Sequence, residues 1–568
     1  MAHSFSNKQV EELLRNVAAV YQLKGKNQFK VIAYEKAADS IQHSTSDLKS
    51  LWEAGQLDNV AGLGESLRGY LDELFKTGKV KHFEELFEGI NKNMFAFLNI
   101  AGVGPKTAEK LADAGVKNID DLSEKIKDGS LLKKGFSEKV LKGIEQGISE
   151  LSRKSDRLLL PVAESLAQEI IAWLEKSSHV KKADTLGSLR RKVATVGDID
   201  ISVASQEAKK VIEHFSKFPG AVRLVEAGEK TATISLNNGL RVDLLVQPPE
   251  LYGNLLQHFT GGKNHNIKIR SWALKKGFSV SDNGLKEVKS GKLHKFTEEK
   301  GVYDYLKLEY PVPELREDTG EFELSFEHKL PELIELSDIK GDLHTHSLWT
   351  DGKNTISEMA KTAAKKGYDY IALTDHSYPN MDYNKRIKEI EQLNYSYKDI
   401  RVIKGLEVNI NVDATLQIPD EILEKHDFVL VSIHTSFRQA KEDMTERILT
   451  ALENPHVDAF AHPTGRLLLE REGIEADWPK IFKFAADNGK ILEINAFPNR
   501  TDLPDLLIRE AKKYKARFSI DTDSHQTHHL ELMEYGIFNA KRGWVTKEEV
   551  INTLSYSKLK DIITTLQD

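Results

Sequence analysis

The sequence predicts a multidomain α/β protein with a helical N-terminal region, a middle domain on a mixed sheet, and a C-terminal distorted parallel β/α barrel. Three observations lead there. At 568 residues the chain exceeds the roughly 250–300 residues over which one core keeps growing. Its early part carries apolar residues at helical spacing, as in Val10, Leu13, Leu14, Val17 and Val20. Its late part has short apolar runs, IALTDH, VIKGLEV, FVLVSIH, AFAH and ARFSIDTDSH, with a histidine or acid at or beside each end. A parallel barrel presents functional groups in this way, at the carboxyl ends of its strands.

Composition narrows the class. Charged residues make up 29% and hydrophobic ones 40%, an ordinary globular balance with enough apolar matter for sizeable cores. The opening MAHSFSNKQVEELL lacks the charged-then-apolar pattern of a leader, and no apolar run could span a bilayer. With no cysteine there is no disulfide, so the expectation is a cytoplasmic protein without membrane contact. Histidine and carboxylate are then the strong metal ligands available. The net charge of −7 argues weakly against nucleic acid, but it sums over domains, and phosphate contacts depend on local patches.

In the helical region the same punctuation occurs twice, Val60-Ala61-Gly62-Leu63-Gly64 and Ile100-Ala101-Gly102-Val103-Gly104-Pro105-Lys106, each leading into a helix. The pattern resembles a helix-hairpin-helix, whose glycines let backbone N–H groups approach a phosphate without reading sequence. Gly62, Gly64, Gly102, Gly104 and Lys106 are therefore candidate DNA contacts. A single Gly-x-Gly is usually only a tight turn; two copies favour phosphate. The alternative is an all-helical interaction module.

The middle domain carries Gly187-Ser188-Leu189-Arg190-Arg191, then Val196-Gly197-Asp198-Ile199-Asp200-Ile201. In a strand Asp198 and Asp200 share one face while Ile199 and Ile201 take the other. A hairpin turning at Asn237-Asn238-Gly239 brings Asp243 to the same side. Three neighbouring carboxylates repel unless cations sit between them, which suits two Mg²⁺ about 3.5–4 Å apart handling a triphosphate. Gly187 and Ser188 offer donors to phosphate, and Arg190 and Arg191 offer charge. Asp-x-Asp alone is weak evidence; with the Gly-Ser turn, two arginines and a third Asp it indicates a nucleotidyltransferase palm.

The barrel holds a ladder of candidate metal ligands, His344, His346, Asp351, Asp375, His376, Glu407, His434, His462, Asp523 and His525. His-x-His at strand spacing puts two imidazoles on one face. A lone buried histidine is more often a core residue, but so many in strand-end order are not.

Residues 1–317 resemble a family X DNA polymerase, on GSLRR, VGDIDI, RVDLLV, the run His258 to Asn266 with Arg270, and the ending YPVPELRED. Residues from 339 resemble a PHP (polymerase and histidinol phosphatase) domain, on HTHSLWTDG, TDHS, GLEV, SIHTS, AHPTGR and DTDSH. End to end the chain is similar to bacterial family X polymerases with a C-terminal PHP domain. The resemblance implies helical domains at 1–80 and 81–154 carrying the two helix-hairpin-helix motifs, a palm at 155–247, and a small thumb at 248–317. A linker at 318–338 and the PHP domain at 339–568 follow. It makes Asp198, Asp200 and Asp243 the catalytic ligands of Mg²⁺ or Mn²⁺. Gly187, Ser188 and Arg191, helped by Arg190, would hold the triphosphate, and Phe259 and Gly261 the sugar. Lys263 would contact the nucleotide, and Asn266 and Arg270 the nascent pair. Lys30 and Tyr34 match positions that bind a 5′-phosphate.

The PHP resemblance implies a nine-ligand set, His344, His346, Asp351, His376, Glu407, His434, His462, Asp523 and His525. Three ions of Mn²⁺, Zn²⁺ or Fe²⁺ would sit there, with Glu407 bridging, and Arg466, Asn495 and Asp375 could support the ligands. The implied activities are DNA-directed gap-filling synthesis in base excision repair and metal-dependent 3′-5′ exonuclease, with AP endonuclease or 3′-end processing beside it. The implied partners are gapped or primed DNA and dNTPs, taken up by a monomer; no protein partner can be inferred. Three departures stand out. Tyr70 occupies the place of the Schiff-base lysine of vertebrate repair members, so 5′-deoxyribose phosphate lyase chemistry is not expected. His258 replaces a sugar-side tyrosine, and Gly262-Lys263 replaces Ser-Asp. His528 and His529 read as surface residues. The acidic stretch REDTGEFELSFEHKLPELIELSD reads as a tether. Two other readings stay open: an untemplated nucleotidyltransferase fused to a small-molecule phosphoesterase, and a PHP domain whose metals are only structural.

Overall fold

The computed structural model describes residues 5, 7–25, 28–42, 48–53, 57, 63–98, 100, 102–152, 157–237 and 239–567. The chain divides into two units, Met1–Lys154 and Ser155–Asp568. Among the described residues no helix is long and apolar enough to cross a membrane.

The first unit is helical. α1 (Asn7–Leu23) and α2 (Gln28–Gln42) pack together through the apolar positions seen in the sequence, Val10, Leu14, Val17 and Val20 being fully buried. α3 (Glu65–Thr77) starts at an extended Gly64 and stops at left-handed Gly78. α4 (Pro105–Asp113) starts at Gly104, with proline in its first turn, where a missing N–H costs nothing.

In the second unit β1 (Lys182–Thr185), β2 (Ile199–Ala204), β3 (Ala221–Ala227), β4 (Thr231–Leu236) and β5 (Arg241–Gln247) form one sheet in the order β1-β2-β5-β4-β3. β2 and β5 run parallel and the other neighbours antiparallel. Alternate residues Ile199, Ile201, Val203, Val242, Leu244 and Val246 are buried against helix Leu160–Leu174, which leaves the aspartates for the opposite face. The short α5 (Gly187–Arg190) sits between β1 and β2. α6 (Tyr252–Thr260), α7 (Lys263–Lys275) and a meander of β6 (Phe278–Ser281), β7 (Gly284–Glu287) and β8 (Leu293–His294) follow.

The acidic stretch read as a tether is instead built into the fold. Its helix α8 (Glu321–Glu327) carries Glu321, fully buried, whose carboxylate faces His265 Nδ1 at 2.8 Å and accepts the N–H groups of Asp318 and Thr319. Negative charge marks a solvated segment only when its acids lack internal partners; Glu317 and Glu321 have them, while Glu323, Glu327, Glu332 and Glu335 stay exposed.

The barrel strands β9 (Gly341–Thr345), β10 (Tyr370–Leu373), β11 (Arg401–Asn409), β12 (Phe428–Ser432), β13 (Ala459–Phe460), β14 (Ile491–Asn495) and β15 (Arg517–Asp521) are all parallel and in chain order. The last returns to the first, with the His346 N–H on the Ser524 carbonyl at 2.8 Å. Alternate strand residues feed two cores. Leu343, Ala372, Ile403, Leu430 and Ala459 pack with Ile551 and Leu559; Ile371, Leu373, Val429, Val431 and Ile494 pack against Met359, Ile448 and Phe482. Helix α9 (Asp505–Lys513) follows β14 and helix α10 (Met533–Arg542) follows β15 in sequence, and α10 contacts both strands.

Candidate active sites

On the first sheet Asp200 and Asp243 are partners in the parallel register of β2 and β5, and Asp198 precedes β2 by one residue. Burial pushes the Asp200 carboxyl up to about 7, and the charges of Asp198 and Asp243 push it the same way. Gly187 turns the chain over this acid. Its φ is +57°, and a Cβ there would lie 2.6 Å from Asp200 Oδ2, so both the turn and the close approach require glycine. Asp243 accepts a hydrogen bond from Thr233 Oγ1. An acid raised by burial and by two neighbouring carboxylates fits divalent cations as the missing counter-charge.

The arginines that follow have protein partners. Arg191 donates from Nε to Glu317 Oε1 at 3.0 Å and from Nη1 to the Thr260 carbonyl at 2.6 Å. A Cβ on Gly261 would come within 3.2 Å of that Nη1. Arg190 donates to Glu299 Oε2 at 2.8 Å and to Thr260, tying α5 to α6. Ser188 is half-buried. Phe259, Lys263 and Arg270 are exposed around α6 and α7. Asn266 is buried; its amide donates to the His258 carbonyl at 2.7 Å and accepts from Gln257 at 3.0 Å.

In the first unit Lys30 is exposed, its Nζ 3.4 Å from the Tyr21 hydroxyl, and Tyr34 is buried against the Tyr21 ring. Tyr70 stacks on His82. Gly64, Gly102, Gly104 and Lys106 are exposed at the starts of α3 and α4, with Gly102 at φ +83°. Gly62 and the turn residue Asn238 lie outside the described residues.

All nine expected barrel ligands converge. Their donor atoms fall into overlapping groups within 4.8 Å: His346, Asp351, His376 and His525; His344, Glu407 and His462; His344, His346 and Asp523; His376, Glu407 and His434. The three aspartates of the other sheet form no such tight group, as uncompensated carboxylates do not. Glu407 stands at the centre. Its Oε1 lies 3.3 Å from His434 and 3.0 Å from His462, its Oε2 2.8 Å from His376 and 3.5 Å from His344. Burial would raise this carboxyl, but His376, His434 and His344 hold it well below the usual range. The site opens into a cavity of about 400 Å³.

Several buried donor atoms here have no hydrogen-bond partner: His344 Nε2, both nitrogens of His346, His462 Nδ1 and Glu407 Oε2. Such atoms are costly unless something takes their lone pairs, so the residues present fit a multinuclear metal centre.

The support around the ligands was only partly readable. Asp375 accepts from the Ser347 N–H at 2.6 Å and from Arg386 Nε at 2.8 Å. Asn495 donates to Glu493 at 3.2 Å and to Asp523 at 3.4 Å. Arg466 instead ties down the carbonyls of Arg500 and Thr501. His528 is exposed, while His529 is half-buried and accepts the His525 N–H. Sequence reasoning missed Glu493, fully buried and 2.6 Å from His344 Nδ1; an acid inside the apolar run ILEIN was its signal. It also missed Arg500, which lines the cavity 3.4 Å from Asp523.

Comparison with known proteins agrees with both halves. Family models match for a helix-hairpin-helix domain at residues 5–80, the fingers domain of DNA polymerase lambda at 96–135, the DNA polymerase beta thumb at 255–317 and the PHP domain at 342–497. The chain is 34% identical over 567 residues to the DNA polymerase/3′-5′ exonuclease PolX of Bacillus subtilis, covering 98% of each protein. Its C-terminal part is 33% identical over 198 residues to a probable phosphatase of Acetivibrio thermocellus, covering 32% of this chain and 78% of that one. A probable phosphatase of a Thermoanaerobacter species is 28% identical over 235 residues, 39% of this chain and 93% of its own. The chain therefore belongs to the bacterial family X DNA polymerases that carry a C-terminal PHP domain.

Proposed function

We propose that the protein fills short DNA gaps by templated synthesis in base excision repair and trims DNA 3′ ends in its barrel, with cutting at abasic sites a further barrel activity. The observation that carries this is the presence in one chain of the Asp200–Asp243 register and the Glu407 cage. Asp198, Asp200 and Asp243 would hold Mg²⁺ or Mn²⁺, and the nine barrel ligands would hold three ions of Mn²⁺, Zn²⁺ or Fe²⁺; when bound, such cations would activate oxygen nucleophiles and polarise phosphate.

The protein's own residues do the rest. The Gly187 N–H and Ser188 hydroxyl donate to triphosphate oxygens, and Arg191 adds charge after exchanging its bond to Glu317. Arg190 acts by holding α5 in place. Phe259 and Gly261 flank the sugar, Lys263 reaches the nucleotide, and Asn266 and Arg270 read the minor groove of the new pair. Lys30 and Tyr34 dock a 5′-phosphate, and the turns at Gly64, Gly102 and Gly104, with Lys106 and with Gly62 assigned from the sequence, follow the DNA backbone. In the barrel Arg500 faces the scissile phosphate. The domain limits proposed from the sequence serve this division, in a cytoplasmic monomer acting on gapped or primed DNA and dNTPs.

The test compares synthesis on a short gap bearing a 5′-phosphate, on the same gap without it, and on an open primer, together with cutting of a duplex holding an abasic site. Preference for the phosphorylated gap supports the repair reading. Equal rates on all three contradict it, and hydrolysis of small phosphate esters in place of DNA ends would favour the phosphatase-like alternative for the barrel.

A further inference from the structure

Helix α10 belongs to the barrel but serves both halves of the second unit. On one side Gly536 lies so close to the barrel that a Cβ would meet Ile520 at 2.5 Å and Ala496 at 2.8 Å. On the other, Tyr535 and Phe538 pack on the core beneath the aspartate sheet, and Lys192 lies over the Phe538 ring at 4.5 Å. The last residue of the helix, Arg542, is nearly buried. Its Nη1 donates to Glu317 Oε1 at 2.8 Å and to the Arg191 carbonyl at 3.0 Å. Its Nε and Nη2 hold Asp505 of α9 at 2.9 and 2.7 Å. Glu317 Oε1 is thus shared between Arg542 and the Nε of Arg191, 3.0 Å away.

We propose that Arg542 is a positioning residue of the polymerase site, supplied by the barrel. By offering Glu317 a second cation and fixing the Arg191 carbonyl, it lets the Arg191 guanidinium leave Glu317 for the nucleotide triphosphate. The chemistry is a competition of anions for one guanidinium. With Arg542 present, its guanidinium, shared with Asp505, compensates part of the Glu317 charge, and a triphosphate outbids what remains. Without Arg542, the partly buried Glu317 carboxylate keeps Arg191 as its counter-ion, because breaking that pair leaves its charge without a protein partner. The inference rests on the assignment of Arg191 to the triphosphate made above.

The test measures KM for dNTP and kcat on gapped DNA for full-length wild type, Arg542→Ala, Glu317→Gln, and the double variant. Arg542→Ala should raise KM about tenfold, the scale of one close charge pair, with kcat little changed and 3′ degradation by the same preparation retained. Glu317→Gln in that background should return KM toward wild type, a rescue that loss of packing alone cannot give. Should Arg542→Ala not fold, Glu317→Gln alone carries the test: freed from its carboxylate, Arg191 should lower KM several-fold, again about one charge pair. An unchanged KM in Arg542→Ala, no rescue in the double variant, or a raised KM in Glu317→Gln overturns the proposal. Binding of a fluorescent dNTP in Ca²⁺, without turnover, separates the two claims. Wild type that binds nucleotide but does not extend sinks the polymerase reading and leaves the same comparison readable as Kd. Wild type that does neither overturns both.

Discussion

His344 on β9 and Glu493 on β14, both fully buried, meet through a 2.6 Å contact between Nδ1 and Oε1. A carboxylate can only accept, so His344 carries a proton on Nδ1 and turns Nε2 toward Glu407 and Asp523. Burial would lower this imidazole, but the surrounding carboxylates hold it well above its ordinary value in the metal-free fold, so a cation at Nε2 would replace a proton there. Glu493 also accepts the His462 N–H, fixing a second ligand.

Glu493→Gln keeps the size and removes the charge that holds this tautomer. Metal retained after dialysis, and 3′ degradation, should both fall about 10–100-fold, the usual effect of losing such a partner, while extension persists. Unchanged metal content would mean that the Glu493 charge does not orient His344.

The Asp200 carboxyl titrates at about 7 in the fold against 3.8 for an unperturbed one. Between those values the folded protein holds a proton that the unfolded chain has released, so metal-free stability falls as pH rises through that window. Asp200→Asn should therefore raise the Tm of metal-free protein near neutral and alkaline pH, change it little near about pH 4, and abolish extension. A variant less stable than wild type above neutrality contradicts the burial and the neighbouring charges that raise this carboxyl.

Gly187 has φ +57° and would place a Cβ 2.6 Å from Asp200 Oδ2. Gly187→Ala should cost about 1–2 kcal/mol of stability and slow extension about 100-fold by displacing the aspartate. Nuclease activity, measured in parallel, should hold. Normal extension would show that the turn and Asp200 are not in register.

Asp375 and Arg386 form a fully buried ion pair at 2.8 Å, and Arg386 also caps the carbonyls of Gly405 and Leu373. Asp375→Asn strands the guanidinium and should destabilise the barrel by about 3–5 kcal/mol in denaturant titration. A change within experimental error would mean that water reaches the pair.

What the sequence made legible was local. Ligands at strand ends reveal themselves because each sits beside its own apolar run, as His434 ends FVLVSIH, and a barrel gathers strand ends without further instruction. Asp200 and Asp243 were legible because strand alternation assigns their face. Pairings across long stretches were not. Glu493 meets a partner 149 residues away, and Arg542 meets Arg191 across 351; no local pattern links either pair. The acidic stretch misled for the same reason, since Glu321 looks solvated until His265 is found beside it. β3 escaped because its residues are mostly exposed, leaving no apolar alternation to read.

The most direct measurement runs one gapped, 5′-phosphorylated duplex with Mn²⁺, with and without dNTPs, against wild type, Asp198→Ala/Asp200→Ala and His344→Ala/His346→Ala. Two separate active sites predict that the aspartate variant loses only extension and the histidine variant only 3′ degradation. Loss of both activities in either variant would contradict that separation.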